Sequence, residues 1–196
     1  MNTKLSILIC SLADRKDLLN RLLDILTGNH RGDIIHHPLG NVEILVDTDG
    51  GEKSTGQKRN DLLEKARGDY VCFVDDDDLV PDYYVERILE TIETSPDVVG
   101  INGIITFSGK NPRKFIHSIR YKSWFEKDGI YYRCPHHLNP VKRELALQTK
   151  FDTRRTYNED FDYSLRLLPL LKTEVYIEDV MYYYLYDPAI SVRVEE

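Results

Sequence analysis

The order of patterns along this chain predicts an α/β fold: a doubly wound, mostly parallel sheet with a mixed second half and a small hairpin. Three observations carry that expectation. Short β-branched and aromatic runs alternate with amphipathic stretches from Lys4 to Thr94, and the alternation breaks down after Asp97. Four consecutive aspartates, Asp75 to Asp78, follow directly on the apolar run Tyr70 to Val74. A buried strand in such a sheet delivers its C-terminal end to the crevice where ligands bind.

The elements are read in order as follows. Lys4 to Cys10 is a strand. Asp14 to Leu26 has apolar positions at 18, 19, 22, 23, 25 and 26, the spacing of an amphipathic helix, and ends near Gly28. Val42 to Val46 is a second strand, and Asp47-Thr48-Asp49-Gly50-Gly51 is rich in turn formers. Gly56 to Arg67 is a helix with Gly68 as its C-cap. The strand before the aspartates and a helix from Pro81 to Thr94 complete a first half of nucleotide-binding type, residues 1–100. In the second half, Val98 to Phe107 is β-rich, Ser108 to Pro112 is a turn, and Lys114 to Tyr121 alternates, which predicts a hairpin. Pro140 to Leu147 and Glu159 to Leu168 read as helices, and Val175 to Ile177 and Met181 to Tyr186 as extended segments.

A length of 196 residues suits one domain with a sizeable core, and 41% hydrophobic with 30% charged residues is ordinary for a soluble protein. No apolar stretch approaches the roughly 18 residues that a membrane span needs. The segment from Met1 to Cys10 is too short for a signal peptide. Cys10, Cys72 and Cys134 have no metal-type spacing and read as free thiols in a reducing, cytoplasmic setting. The net charge of −7 is uneven: Lys110 to Arg155 holds twelve Lys or Arg against four acids, a local +8, which leaves −15 elsewhere. That basic region suits an anionic partner or a solvated surface.

Four carboxylates at one strand end repel, by roughly 4 kcal/mol for a pair about 4 Å apart at an effective dielectric near 20. A divalent cation or protonation offsets that cost. Mg²⁺ or Mn²⁺ suits such oxygen donors and typically shares its shell with substrate phosphates. A calcium loop fails on spacing, because Leu79 and Val80 fall where a ligand and a glycine belong. Asp78 reads as a cap for the helix that Pro81 opens.

Two more clusters fit the crevice. Asp47 and Asp49 end the second strand, where they read as acceptors for a base or ribose or as turn residues. Gly56-Gln57-Lys58-Arg59-Asn60 opens a helix whose N-terminus favours anions. Arg59 there suits stacking on a base or pairing with phosphate, and both cations also read as surface charges.

Taken in order, GQKRN, Gly68-Asp69-Tyr70, FVDDDD, Phe151-Asp152, Glu159-Asp160, Arg166-Leu167 and Tyr182-Tyr183-Tyr184 with Ala189-Ile190-Ser191 resemble the family 2 glycosyltransferases. The resemblance implies the GT-A fold over residues 1–196, with 1–100 binding a nucleotide sugar and 101–196 on the acceptor side. It implies a metal-dependent, inverting transfer from a nucleotide-diphosphate donor, UDP-linked by family habit, to an acceptor hydroxyl. Asp77 and Asp75 match the DxD metal motif and would hold Mn²⁺ or Mg²⁺, with Asp75 indirect or through water and Asp76 a ribose contact. Asp47, Asp49, Lys58 and Arg59 would complete the donor side. Asp160 would be the general base, against a capping role at its helix start. Glu159, His136, His137 and Trp124 would border the acceptor, the histidines reading equally as structural and the tryptophan as packing.

A sugar nucleotidyltransferase would need a Gly-rich loop after the first strand, where this chain has Ser11-Leu12-Ala13-Asp14-Arg15. A non-catalytic nucleotide-sugar or glycan-binding module is the other alternative, and keeping both Asp77 and Asp160 argues against it.

Overall fold

The computed structural model describes residues 2–28, 40–155 and 157–188. The first half runs β1 (Leu5–Leu12), α1 (Lys16–Thr27), β2 (Val42–Asp49), α2 (Thr55–Lys65), β3 (Tyr70–Phe73) and α3 (Tyr84–Ile92). The second runs β4 (Val98–Phe107), β5 (Lys110–His117), β6 (Phe125–Lys127), β7 (Ile130–Arg133), β8 (Val141–Lys142), α4 (Arg143–Thr149), α5 (Glu159–Leu167) and β9 (Glu174–Tyr186). Among the described residues one nine-stranded sheet has the order β2-β1-β3-β8-β4-β5-β7-β6, with β9 also paired to β4. β1 lies parallel to both β2 and β3, while the second half mixes parallel (β4–β9, β5–β7) and antiparallel pairs (β4–β5, β6–β7). No helix of the described residues is long and apolar enough to cross a membrane.

Alternation along β1 builds two cores. Leu5, Ile7 and Ile9 face Leu22 and Leu26 of α1 and Tyr84, Val85 and Ile88 of α3. Leu8 faces the other way, with Phe73, Leu62 and Leu63 of α2 and Tyr163 and Leu167 of α5. Helices therefore cover both faces, as the pattern of alternating elements requires.

Several boundaries differ from the sequence reading, each for a local reason. β2 continues through Asp47 and Asp49, because Ser11 and Leu12 of β1 extend the ladder beside them. α2 is capped by Ala66 rather than Gly68. Gly68 instead lies against β1, where a Cβ would stand 2.6 Å from the Ser6 backbone nitrogen. α3 starts at Tyr84, after a turn that Pro81 opens. Val141 and Lys142 form β8 before α4 begins. The two extended segments near the end are one strand, β9, broken in register opposite Asn102. The Asn102 side chain fills that irregularity, donating to the Glu178 carbonyl at 2.8 Å.

Gly103 of β4 has a specific use. A Cβ there would sit 1.9 Å from the Phe115 ring, which lies over the glycine from β5. The space lets Phe115 pack beside Tyr182 of β9, with ring centroids 6.4 Å apart. Tyr182 is the residue that reaches under the aspartate run.

Candidate active site

β3 ends at Phe73, and each aspartate that follows has its own partner. Asp75 faces Arg59 of α2 at 3.3 Å and the Nε2 of His137 at 3.3 Å. Its backbone N–H donates to the Tyr182 hydroxyl at 3.1 Å. Asp76 is buried, accepting from the Ser11 hydroxyl at 2.6 Å and from Arg15 at 3.1 Å, both at the end of β1. Asp77 lies 3.6 Å from Arg15. Asp78 is fully buried and accepts from the Tyr182 hydroxyl at 2.8 Å and the Leu185 N–H at 2.7 Å. Asp78 is therefore not the helix cap that the sequence suggested: Tyr83 stands at the N-cap of α3, and Asp78 ties the run to β9.

These settings separate the four carboxyl groups. Burial opposes ionisation of Asp75, but His137 and Arg59 outweigh it and hold the group below the usual carboxylate range. Burial, reinforced by Asp75, pushes Asp77 up to about 6 despite Arg15. Burial and the charges of Asp75 and Asp77 push Asp78 well up. An acid raised in this way by neighbouring negative charge is a site where a cation is welcome. Asp77 and Asp75 are carboxylates of the kind that could hold Mg²⁺ or Mn²⁺.

Asp75, Asp76 and Asp77 line a cavity of about 710 Å³ together with Arg15, Lys53, Lys58 and Arg59. Asp47 and Asp49 are not in its lining. They hold two cations that are: Lys53 reaches Asp47 at 3.0 Å, and Lys58 reaches Asp49 at 2.6 Å. Lys58 and Arg59 are buried, so neither is a surface charge. Arg59 pairs with Glu159 at 2.8 Å as well as Asp75 and packs against the Phe73 and Phe151 rings, while its buried Nε has no hydrogen-bond partner among the described residues. It braces the site from inside and has no face left for stacking on a base.

A second cavity, about 450 Å³, shares Thr55, Arg59, Asp75, Glu159 and Tyr184 with the first. Asp160, Trp124, Arg133, His136 and His137 line its other walls. Asp160 is half-buried in the first turn of α5, which starts from Asn158 in the left-handed region with φ 56°. Among the described residues its carboxylate accepts only from the next backbone N–H, that of Phe161, at 2.8 Å, so it does not cap the helix start. Trp124 packs edge-on against Phe161 and carries the Arg133 guanidinium over its ring at 4.4 Å.

His136 and His137 are buried members of a chain of imidazoles that also includes His117, a residue with no distinguishing feature in the sequence. Asn139 fixes the chain's polarity. Its amide donates to the Val99 carbonyl, so its oxygen accepts from the His136 backbone N–H at 3.1 Å and from His117 Nδ1 at 3.2 Å. Burial holds His117 and His136 well below the ordinary imidazole pKa. Neutral His117 then accepts at Nε2 from His136 Nε2–H at 3.2 Å, and His136 Nδ1 accepts from His137 Nδ1–H at 3.0 Å. His137 Nε2 meets Arg59 at 3.0 Å and Asp75. The ligand atoms of His136, His137 and Asp160 also lie within 4.8 Å of one another, a spacing that suits a metal ion. Each ring nitrogen of the pair already has a hydrogen-bond partner, so an ion there would break the chain.

Of the residues singled out in the sequence, Lys58, Asp76 and Asp77 line the first cavity, Trp124, His136, His137 and Asp160 the second, Arg59, Asp75 and Glu159 line both, and Asp47 and Asp49 line neither. The sequence reading did not foresee Tyr182, His117 or Arg133. The Ala189-Ile190-Ser191 part of the closing motif lies outside the described residues.

Comparison with known proteins agrees with this geometry. Two solved structures of S. aureus TarS 1-349 superpose with a TM-score of 0.66. The one in complex with UDP-GlcNAc is 15% identical, with 94% of this chain and 59% of that chain covered. The one in complex with UDP is 16% identical, with 95% and 61% covered. At that identity the likeness is one of fold, and this chain spans about three-fifths of those neighbours' length. No curated protein matches the sequence. The model of glycosyl transferase family 2 matches residues 34–164, more than half of the chain, and the chain belongs to that family.

Proposed function

We propose that this chain transfers a sugar, with inversion, from a UDP-linked donor to an acceptor hydroxyl, and that it does so with a divalent metal ion. The observation that carries the reading is the pair of adjoining cavities, one walled by the aspartate run and the other by Asp160, which meet at Asp75, Arg59 and Glu159. The UDP-GlcNAc and UDP complexes of the TarS fold support a UDP-sugar in the first cavity.

Asp77 and Asp75 would hold Mg²⁺ or Mn²⁺. The ion supplies neutralisation of charge that builds on the leaving diphosphate. Arg15 and Lys58 bring positive charge to the same cavity, and Arg59 keeps Asp75 ionised and aimed. Asp160 takes the proton from the acceptor hydroxyl as that oxygen attacks the anomeric carbon. A carboxylate is a weak base, but it serves where the hydroxyl becomes acidic only in the transition state. One displacement on the face opposite the leaving group gives inversion. On this reading residues 1–100 carry the donor site and 101–196 most of the acceptor site.

Titration calorimetry with UDP, with and without Mn²⁺, tests the donor half. Binding that requires the metal and is lost in Asp77→Asn is expected, and metal-independent or absent UDP binding refutes it. Asp160→Asn should keep UDP affinity and lower transfer by about 10²–10⁴-fold. Full transfer activity in that variant would move the base elsewhere.

A further inference from the structure

Most cations that line the two cavities have a carboxylate partner. Lys53 is held by Asp47 and Asp61, Lys58 by Asp49, Arg59 by Asp75 and Glu159, and Arg15 by Asp76 and Asp77. Arg133 differs. Among the described residues its guanidinium makes no hydrogen bond and no ion pair: it lies over the Trp124 ring at 4.4 Å and the Tyr131 ring at 5.9 Å, and the charge of Asp160 acts on it from beyond ion-pair distance. Stacking occupies the face of a guanidinium and leaves the N–H edge, with its five donors, for another partner. That group is partly buried in the wall of the second cavity.

The carboxylates of the same cavity are divided likewise. Asp75 and Glu159 are both taken by Arg59, and Asp160 alone has no cation within ion-pair distance among the described residues. The cavity therefore presents two charges of opposite sign, Arg133 and Asp160, that attract each other across it without forming an ion pair or hydrogen bond among the described residues. A neutral acceptor answers one of them, by placing a hydroxyl at Asp160. An acceptor that also bears an oxyanion answers both, since carboxylate or phosphate oxygens match the guanidinium fork. A volume of about 450 Å³ accommodates a monosaccharide-sized unit with such a group.

The geometry points to an oxyanion subsite at Arg133: the acceptor is a hydroxyl compound carrying a carboxylate or phosphate group, bound with that group on Arg133 and its hydroxyl toward Asp160. The inference rests on the second cavity being the acceptor side, as proposed above. Arg133 is absent from the lining of the first cavity, so the anion in question is not the donor diphosphate.

The test is ligand-observed NMR titration of the protein with two matched pairs, glucuronate against glucose and glycerol 3-phosphate against glycerol. The same titrations are run on Arg133→Gln and Arg133→Lys. The wild type should prefer the anionic member of at least one pair by about tenfold or more, the pair showing which oxyanion the site takes. Arg133→Gln should reduce that preference to within about twofold, and Arg133→Lys, which keeps a point charge without the fork, should fall between. Metal-dependent UDP affinity should stay unchanged in both variants. Equal binding of charged and neutral members by the wild type, no binding of either, or a preference that survives Arg133→Gln overturns the subsite. Should Arg133→Gln fail to melt cooperatively, a wild-type preference in Arg133→Lys overturns it. Loss of UDP binding by the wild type, with the anion preference intact, would instead refute the donor reading alone.

Discussion

Replacing His117 by glutamine should make the protein relatively more stable as the solution is acidified. His117 is fully buried, and burial with the nearby Arg133 charge holds its imidazole neutral, its pKa well below the ordinary 6.5. In the unfolded chain the same group binds a proton once the pH falls below 6.5. Its contribution to stability is therefore present above that value and lost as pH drops toward the folded pKa. Integrated from about pH 7.5 to about pH 5.0, the loss is roughly 2 kcal/mol for one such histidine. His136 adds a similar amount, while Asp77 and Asp78, whose folded pKa values are raised, act in the opposite direction over the same window. Those opposing groups leave the net slope of the wild type uninformative. They are common to both proteins, however, and cancel in the comparison. Equilibrium urea unfolding of wild type and His117→Gln at several pH values isolates the one group. Whatever destabilisation the variant shows near pH 7.5 should shrink by about 2 kcal/mol at pH 5.0. A difference that stays flat within about 0.5 kcal/mol would mean that native His117 takes up a proton, and the imidazole chain as described would be wrong.

Two further substitutions probe the bracing of the aspartates. Arg59→Met leaves Asp75 and Glu159 facing each other without their shared cation, and should cost about 3–5 kcal/mol in urea unfolding. The double variant with Glu159→Gln should recover part of that loss, and a cost under about 1 kcal/mol would show the pairing to be dispensable. Tyr182→Phe removes the hydroxyl that joins the Asp75 N–H to the Asp78 carboxyl group. About 2 kcal/mol is expected, read as a fall of roughly 4–8 °C in Tm, and an unchanged melting curve would contradict the bridge.

The parts of this structure legible in the sequence are those that local pattern decides. Alternation and glycine placement located β1, α1 and β4 closely, and the apolar run before Asp75 located the end of β3; β5 is Lys110–His117 rather than Lys114 to Tyr121, because the turn after β4 is tighter than Ser108 to Pro112 and the strand starts within it. The family order of acidic motifs brought Asp75, Asp77, Glu159 and Asp160 to one site, although Asp75 and Glu159 meet only through Arg59. What stayed hidden depends on distant partners. Nothing around Asp78 announces a buried acid, because Tyr182 and Leu185, which hold it, lie more than a hundred residues on. α2 reads as polar, TGQKRNDLLEK, yet Lys58, Arg59 and Asn60 are buried, since each meets a tertiary partner: Asp49, Asp75 with Glu159, and the Phe151 backbone. β6 was invisible because Phe125, Glu126 and Lys127 are all exposed and carry no alternation. Arg133 entered the sequence reading only as one charge in a basic region, and its meaning comes from what fails to pair with it.

The dependence of Asp78 on β9 also bears on when the site comes into being. The aspartate run leaves the ribosome 107 residues before Leu185, whose N–H holds the Asp78 carboxyl group. At about 5–20 residues per second that interval is roughly 5–20 s. Through it β1 and β3 can already pair, but the loop between β3 and α3 lacks both its hydroxyl bridge and the Leu79–Tyr183 pairing that shapes it. The four carboxylates meanwhile remain hydrated, a charged cluster that resists premature association. The geometry around the aspartate run is in this sense acquired only once β9 has been made, and β9 works as the clasp that closes it.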